Sequence, residues 1–319
     1  MQQAQNNSPK AEPTFARRFP AYIAVTCVGW IAAGTFLIAK QTTAIFEPLE
    51  LGWFRIELSF LLIWLVYLAS PKNKQEQEVL TRRDKLSLIL LGLTGVTANQ
   101  LLFLHGIKYA SPIDAALLYA FTPVLVIIAA RFLLNEFMTW QKLSGIACAT
   151  TGVIIVLADR GLTLAREHFY GDLLLVFAVL AWATYTLIGK SLVGRIGALR
   201  ANAHAFGVAG ITMLPLTPRV LTDFDWAAPG WAGWLGMAYL AGMTSVISFT
   251  LWAWALKRLD AGQVAVFSNL QPAFTAVLAW LFLDQIPTWM VVLGGILVFS
   301  GVVIAQHVPK PNFVQPSGK

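Results

Sequence analysis

A chain of 319 residues that is 57% apolar and only 12% charged differs from soluble domains, which carry about 45–50% apolar and roughly 25% charged residues. Charged side chains are almost never buried without partners, so there are too few here to coat a water-facing surface, and the solvent around most of the chain is lipid. The formal charge of +7 does not indicate nucleic acid, because the basic residues fall in short breaks between apolar runs and not on one face.

A helix needs roughly 20 apolar residues to cross about 30 Å of hydrocarbon. In chain order the apolar runs lie near 21–39, 49–69, 86–107, 113–134, 140–158, 171–190, 200–217, 234–256, 262–283 and 287–306, which makes ten. Breakers separate them: Glu47-Pro48, Ser70-Pro71, Ser111-Pro112, Thr217-Pro218, Asp260-Ala261-Gly262 and Ile286-Pro287. The seventh run, around Asn202 and His204, is the weakest. The first lacks a small-residue cleavage site and is read as a retained span, not a removed signal peptide. Cys27 and Cys148 sit inside apolar runs, which excludes a disulfide framework and a Cys-rich metal site and predicts two inert buried thiols. If both termini are cytoplasmic, only Lys40, Lys108, Arg160, Arg166 and Arg219 lie outside, Arg55 lies within the second span, and the rest of the 23 Lys and Arg lie inside. The positive-inside rule selects this orientation.

Displacing the chain by 149 residues lays 91–155 on 240–304 without a gap. Lys108 falls on Lys257, Pro123 on Pro272, Thr139-Trp140 on Thr288-Trp289, Gly145 on Gly294, and Gly152-Val153 on Gly301-Val302. Residues 36–40 fall on 186–190 at nearly the same displacement. Coincident Pro, Trp and paired Gly at one register indicate duplication rather than chance likeness among apolar helices. The chain therefore divides into a cytoplasmic tail (1–19), a five-helix repeat (20–158), a second such repeat (170–306) and a cytoplasmic tail (307–319). Five is odd, so the second copy enters the membrane from the opposite face, in keeping with Lys108 outside and Lys257 inside. The expected fold is an all-α membrane protein of ten transmembrane helices in two inverted five-helix repeats. Secondary transporters are built this way, with substrate held near the midplane between the halves.

These residues resemble the drug/metabolite transporter superfamily, and within it the ten-helix EamA type. The likeness covers about residues 20–306. In the first half it rests on Ala110-Ser111-Pro112, Pro123, Leu134-Asn135-Glu136, Thr139-Trp140, Gly145 and Gly152. In the second it rests on Pro272, Leu283-Asp284-Gln285, Thr288-Trp289, Gly294 and Gly301. The resemblance implies transport and leaves the substrate open among amino acids, purines, nucleotide sugars and other metabolites. Gln285 stands where the first half has Glu136 and where the family often has an acid, which argues against proton coupling at that position.

Pro123 and Pro272 lie near the midpoints of the fourth and ninth runs. Proline removes one backbone bond and frees the carbonyl four residues earlier, here those of Tyr119 and Ser268. Each proline is a hinge that exposes acceptors, or a static bend. At similar depth lie Trp30, Asn99, Gln100, Thr122, Trp182, Tyr185, Ser245, Ser248, Asn269 and Gln271. Buried amides and hydroxyls cost several kcal/mol in hydrocarbon unless paired, so they should face the bundle interior, as a polar cavity or as glue between helices. Trp30, Trp182, Tyr119 and Tyr185 offer faces for a flat or cationic substrate portion, or simply fill space. Trp53, Trp140, Trp231, Trp234 and Trp289 read as interfacial anchors. Arg55 either binds a substrate carboxylate or snorkels outward. Glu57 and His105 are proton-relay candidates, with structural roles as the alternative.

No Gly-rich phosphate loop with Lys is present, so ATP does not drive the chain directly. His105, His168, His204 and His307 lack metal-ligand spacing, and no Ser, His and carboxylate set converges. No cofactor or metal is expected. The resulting expectation is an inner-membrane secondary transporter, monomer or homodimer, that moves an amino acid or related compound outward, with a coupled proton as an open question. A purine or nucleoside, a carboxylate and a cationic drug are the alternative substrates. An intramembrane enzyme and a scaffold are the competing classes, and inverted duplication argues against both.

Overall fold

A computed structural model describes residues 15–71, 78–110, 112–159, 169–283 and 288–306. The tails beyond, the 72–77 and 160–168 connections, Ser111 and the 284–287 segment with Gln285 lie outside the described residues. Every regular element among the described residues is helical. The first half comprises α1 (Phe15–Thr42), α2 (Pro48–Ala69), α3 (Arg82–Leu90) continuing through π-helical Leu91–Ala98 into α4 (Asn99–Tyr109), then α5 (Pro112–Ala120), α6 (Thr122–Leu133) and α7 (Trp140–Asp159). The second begins with α8 (Phe169–Ile196) and α9 (Ala198–Met213), which passes through a 3-10 turn into α10 (Thr217–Asp223). Next, α11 (Gly230–Tyr239) runs through π-helical Leu240–Ser248 into α12 (Phe249–Leu256). Finally α13 (Ala261–Ala265), a 3-10 turn over Val266–Asn269, α14 (Leu270–Leu283) and α15 (Trp289–Gln306) complete it. Among the described residues, seven helical stretches are long and apolar enough to span a membrane, and shorter apolar helices cover Leu118–Leu133 and Val292–Ala305.

Local chemistry sets the boundaries. Pro48 opens α2 where its missing N–H costs nothing. Thr81 caps α3, its backbone N–H donating to Asp84 Oδ2 at 2.7 Å while its Oγ1 accepts from Asp84 N. Gly197, at φ 86°, makes the turn from α8 to α9 in a conformation that side chains resist. The weakest run of the sequence is here a full stretch, Ala198–Asp223. Large apolar side chains point outward, as with Phe132, Trp231 and Phe282, because the surrounding lipid is as apolar as they are.

Helices in lipid gain little from hydrophobic association, so close approach of small residues carries the packing. A Cβ on Gly145 would lie 2.6 Å from the Gly301 carbonyl oxygen, and one on Gly152 would lie 2.5 Å from that of Gly294. The earlier glycine of α7 thus meets the later one of α15 and the reverse, so the two helices run antiparallel. Cys148 Sγ donates to the carbonyl of Leu297, its own repeat equivalent, at 3.4 Å. The expectation of two buried thiols needs correction, since Cys27 is exposed and Cys148 half-buried. Cys27 lies on the lipid-facing side of α1, where a thiol costs no more than a methyl group.

Two devices recur at the repeat displacement. The π-helical segments begin at Leu91 and Leu240, 149 residues apart. Lys40 Nζ donates to the carbonyls of Ile107, Lys108 and Ala110 at 2.7–3.0 Å, and Lys190 Nζ donates to those of Leu256 and Leu259 at 2.9 and 2.6 Å. Each lysine satisfies the bare carbonyls at a helix C-terminus, where a cation is also favoured by the helix dipole.

The prolines do not sit inside unbroken helices, which corrects the sequence expectation. The fourth run stops at Ala120, turns at Phe121 and restarts, so that Pro123 is the second residue of α6. Pro272 is the third residue of α14, after a 3-10 turn. In a first helical turn the missing N–H would have had no partner anyway.

Candidate functional site

A cavity of about 70 Å³ lies between elements of both halves, lined by Val28, Ala32, Thr35 and Phe36 of α1, Arg55 of α2, and Asn99 and Phe103 of α4. Tyr119 of α5, Trp182 of α8, Thr244, Ser248, Phe249 and Gln271 complete it. Of the residues expected from the sequence, Arg55, Asn99, Tyr119, Trp182, Ser248 and Gln271 are therefore brought together. The buried Arg55 donates from Nε to Ser245 Oγ at 3.0 Å, and its Nη1 is buried with no acceptor. Among the described residues no carboxylate forms an ion pair with it. Asn99 Nδ2 donates to the Tyr119 hydroxyl at 2.9 Å and to the Ala178 carbonyl at 2.7 Å.

A second layer stands behind this wall. Ser245 accepts from Arg55 and, at 3.5 Å, from Gln100 Nε2, and donates to the Leu240 carbonyl opened by the π-helical segment. Tyr185 donates to Asn202 Oδ1 at 2.7 Å and stacks on Trp182 with 5.0 Å between ring centroids. At the helix breaks, Thr122 Oγ1, Ser268 Oγ, both amide atoms of Asn269 and Oε1 of Gln271 are buried without partners.

Three expected residues lie elsewhere. Trp30 is 40% exposed and stacks on Phe274 at 4.2 Å on the outer surface of the bundle. Glu57, two residues beyond Arg55 on α2, is turned toward Gly210 of α9, since that spacing rotates the side chain by about 200°. His105 lies by Glu47, Glu50 and Arg219 at one end of the bundle, its Nδ1 2.8 Å from the Leu101 carbonyl. None of the three lines the central cavity.

Sequence reasoning missed Thr35, Phe36, Phe103, Thr244 and Phe249. Thr35 and Thr244 share a hydrogen bond of 2.7 Å. They are the repeat equivalents of Tyr185 and Gly95, and a Cβ on Gly95 would lie 2.2 Å from the Tyr185 ring. Repeat-equivalent pairs thus meet in both halves, once as two hydroxyls and once as a large ring on a glycine. Reading the repeat as a map of contacts would have found them.

Contacts between the halves also lie at both ends of the bundle. At one, Lys142 Nζ pairs with Asp260 Oδ2 at 3.0 Å. Beside it Glu136 accepts from the backbone N–H of Ala261 at 2.8 Å and of Gly262 at 3.4 Å, an anion at a helix N-terminus. At the other, Phe46 and Phe54 pack with Phe224 and Trp234.

The sequence profile of the EamA-like transporter family matches residues 19–158 and 169–305, one match in each half. The uncharacterized transporter YyaM of Bacillus subtilis (strain 168) is 26% identical over 301 residues, covering 93% of this chain and 97% of its own. A probable terminal-alkyne amino-acid exporter of Streptantibioticus cattleyicolor is 29% identical over 225 residues, covering 70% of this chain and 74% of its own. A solved crystal structure shares the fold at a TM-score of 0.71 and 18% identity, over 91% of this chain and 98% of that one. With a duplicated helical architecture, lipid-facing apolar surfaces and a family match spanning both halves, the chain belongs to the EamA-like transporters of the drug/metabolite transporter superfamily and is a multi-pass membrane protein.

Proposed function

We propose that this chain is an ATP-independent secondary transporter of the inner membrane that moves an amino acid or related small polar metabolite outward by alternating access. The reading has ten spans in two inverted five-span repeats with both termini cytoplasmic. The observation that carries it is a cavity shared by both halves in whose wall Arg55 Nη1 and Gln271 Oε1 are buried without partners, with further buried unpartnered atoms on Gln100 behind that wall and on Thr122, Ser268 and Asn269 at the helix breaks. Each such group costs about 1–3 kcal/mol, a cost relieved by a bound solute or by water in another conformation of the same helices. The antiparallel exchange of Gly145 and Gly152 with Gly301 and Gly294, and the matching lysine caps, support an axis relating the halves in the membrane plane. The relative from Streptantibioticus cattleyicolor, named as an amino-acid exporter, supports the substrate class and the direction. Pro123 and Pro272, at the restarts of the broken helices, are proposed as hinges.

Metabolite contents of cells with and without the expressed protein, followed by solute efflux from proteoliposomes lacking ATP, test the reading. Efflux of unaltered solute is expected, and chemical conversion of the solute would replace transport with enzymatic activity. A cysteine placed at residue 77 should resist labelling from outside intact cells. Labelling there would reverse the orientation.

A further inference from the structure

We propose that Arg55 and Tyr119 form the subsite for a substrate carboxylate, so that transport selects solutes with a free acid group. The inference deepens the amino-acid reading and rests on it. Arg55 is 3% exposed and lies in the cavity wall. Its Nε bond to Ser245 fixes the guanidinium, while Nη1 is buried without an acceptor. A buried charge lacking a counterion costs several kcal/mol, and among the described residues no acid lines this cavity or pairs with Arg55. The missing anion has room in the cavity.

Tyr119 supplies the second donor. Its oxygen accepts from Asn99 Nδ2, which turns the hydroxyl proton away from that bond, and among the described residues nothing accepts it. A carboxylate between guanidinium and phenol would receive charge-assisted bonds from both. Also in the wall, Gln271 Oε1 is a buried acceptor without a donor, matching an ammonium group rather than a second acid. Phe36, Phe103 and Trp182 leave apolar surface for the remainder of the solute. A cation without this acid group would face an uncompensated guanidinium.

The test uses the full chain in liposomes loaded with an equimolar mixture of the protein amino acids and their α-amides, with efflux followed by mass spectrometry. The amide keeps size, side chain and ammonium, and replaces the anionic oxygen by a donor that opposes Arg55. For the transported members, the acid should leave about tenfold faster than its amide. Arg55→Gln should bring that ratio near one. Tyr119→Phe, which keeps the ring, should lower the ratio by about threefold, and Arg55→Lys should keep part of it. Equal efflux of acids and amides by the unaltered protein would overturn the subsite while leaving transport intact, and so would Arg55→Gln or Tyr119→Phe at matched abundance with the ratio unchanged. No efflux of any member would overturn the amino-acid reading itself, and the subsite with it.

Discussion

Tyr185 shows what a single buried side chain depends on in this protein. Its hydroxyl is bonded to Asn202, its ring stacks on Trp182, and its edge fills the space that Gly95 leaves open. Because three neighbours hold the ring, it cannot yield to an added methyl group as the free end of a flexible chain would. Gly95→Ala should therefore destabilise the protein by about 1–3 kcal/mol, read as a lower midpoint of thermal unfolding in detergent. Gly295→Ala is the control, since a Cβ there meets nothing within 4 Å and alanine favours helix by about 0.5–1 kcal/mol. Equal midpoints for the two variants would show that Tyr185 is free to move. Glu136 makes a related point. The sequence comparison treated it as the acid that Gln285 replaces, whereas its carboxylate receives the first N–H groups of the ninth run. An acid there is explained by helix capping without proton transfer.

At the scale of elements, the lysine caps and the broken helices are separable. Lys40 satisfies three carbonyls at the C-terminal end of α4, and Lys190 two at that of α12. Lys40→Met should cost about 1–3 kcal/mol, and Lys190→Met less, because fewer carbonyls lose their donor. Unfolding midpoints that rank in the reverse order would mean that packing of the lysine stems, and not the bonds, stabilises these ends. The prolines act differently. Each sits within the first turn of a restarted helix, so alanine would let the helix extend backward across the break at little cost in stability. Pro272→Ala and Pro123→Ala should leave expression intact and lower efflux by about tenfold if the breaks must flex during exchange. Full efflux at matched membrane abundance would return both to static bends.

For the molecule as a whole, the proposed alternating access requires that contacts between the halves break in turn. Thr35 and Thr244 join α1 to the second π-helical segment through a 2.7 Å bond beside the cavity. With Cys27 and Cys148 replaced by alanine, the pair Thr35→Cys and Thr244→Cys should oxidise to a disulfide and lower efflux about tenfold or more, with recovery on reduction. Unchanged efflux in the oxidised pair would show that these segments move as one body, and that exchange occurs elsewhere.

Much of this was legible in the sequence, for a physical reason. Lipid demands long apolar runs and internal backbone bonding, so composition alone marked the chain as a helical membrane protein, and a one-dimensional displacement pointed to duplication through Pro, Trp and Gly. Buried polar residues in hydrocarbon are rare enough that Arg55, Asn99, Tyr119, Trp182, Ser248 and Gln271 stood out individually. Tertiary structure alone decided which of the polar and aromatic residues converge. Trp30 satisfied the same sequence criterion as Trp182 yet faces outward, because depth along a helix is readable from spacing while its rotation is set by neighbouring helices. Thr35 and Phe103 carry no signal of their own and become cavity walls only when α1 and α4 meet. The π-helical segments were invisible for a similar reason, since one extra residue per turn is stabilised by bonds such as Ser245 to the Leu240 carbonyl and by the packing around it, not by local propensity.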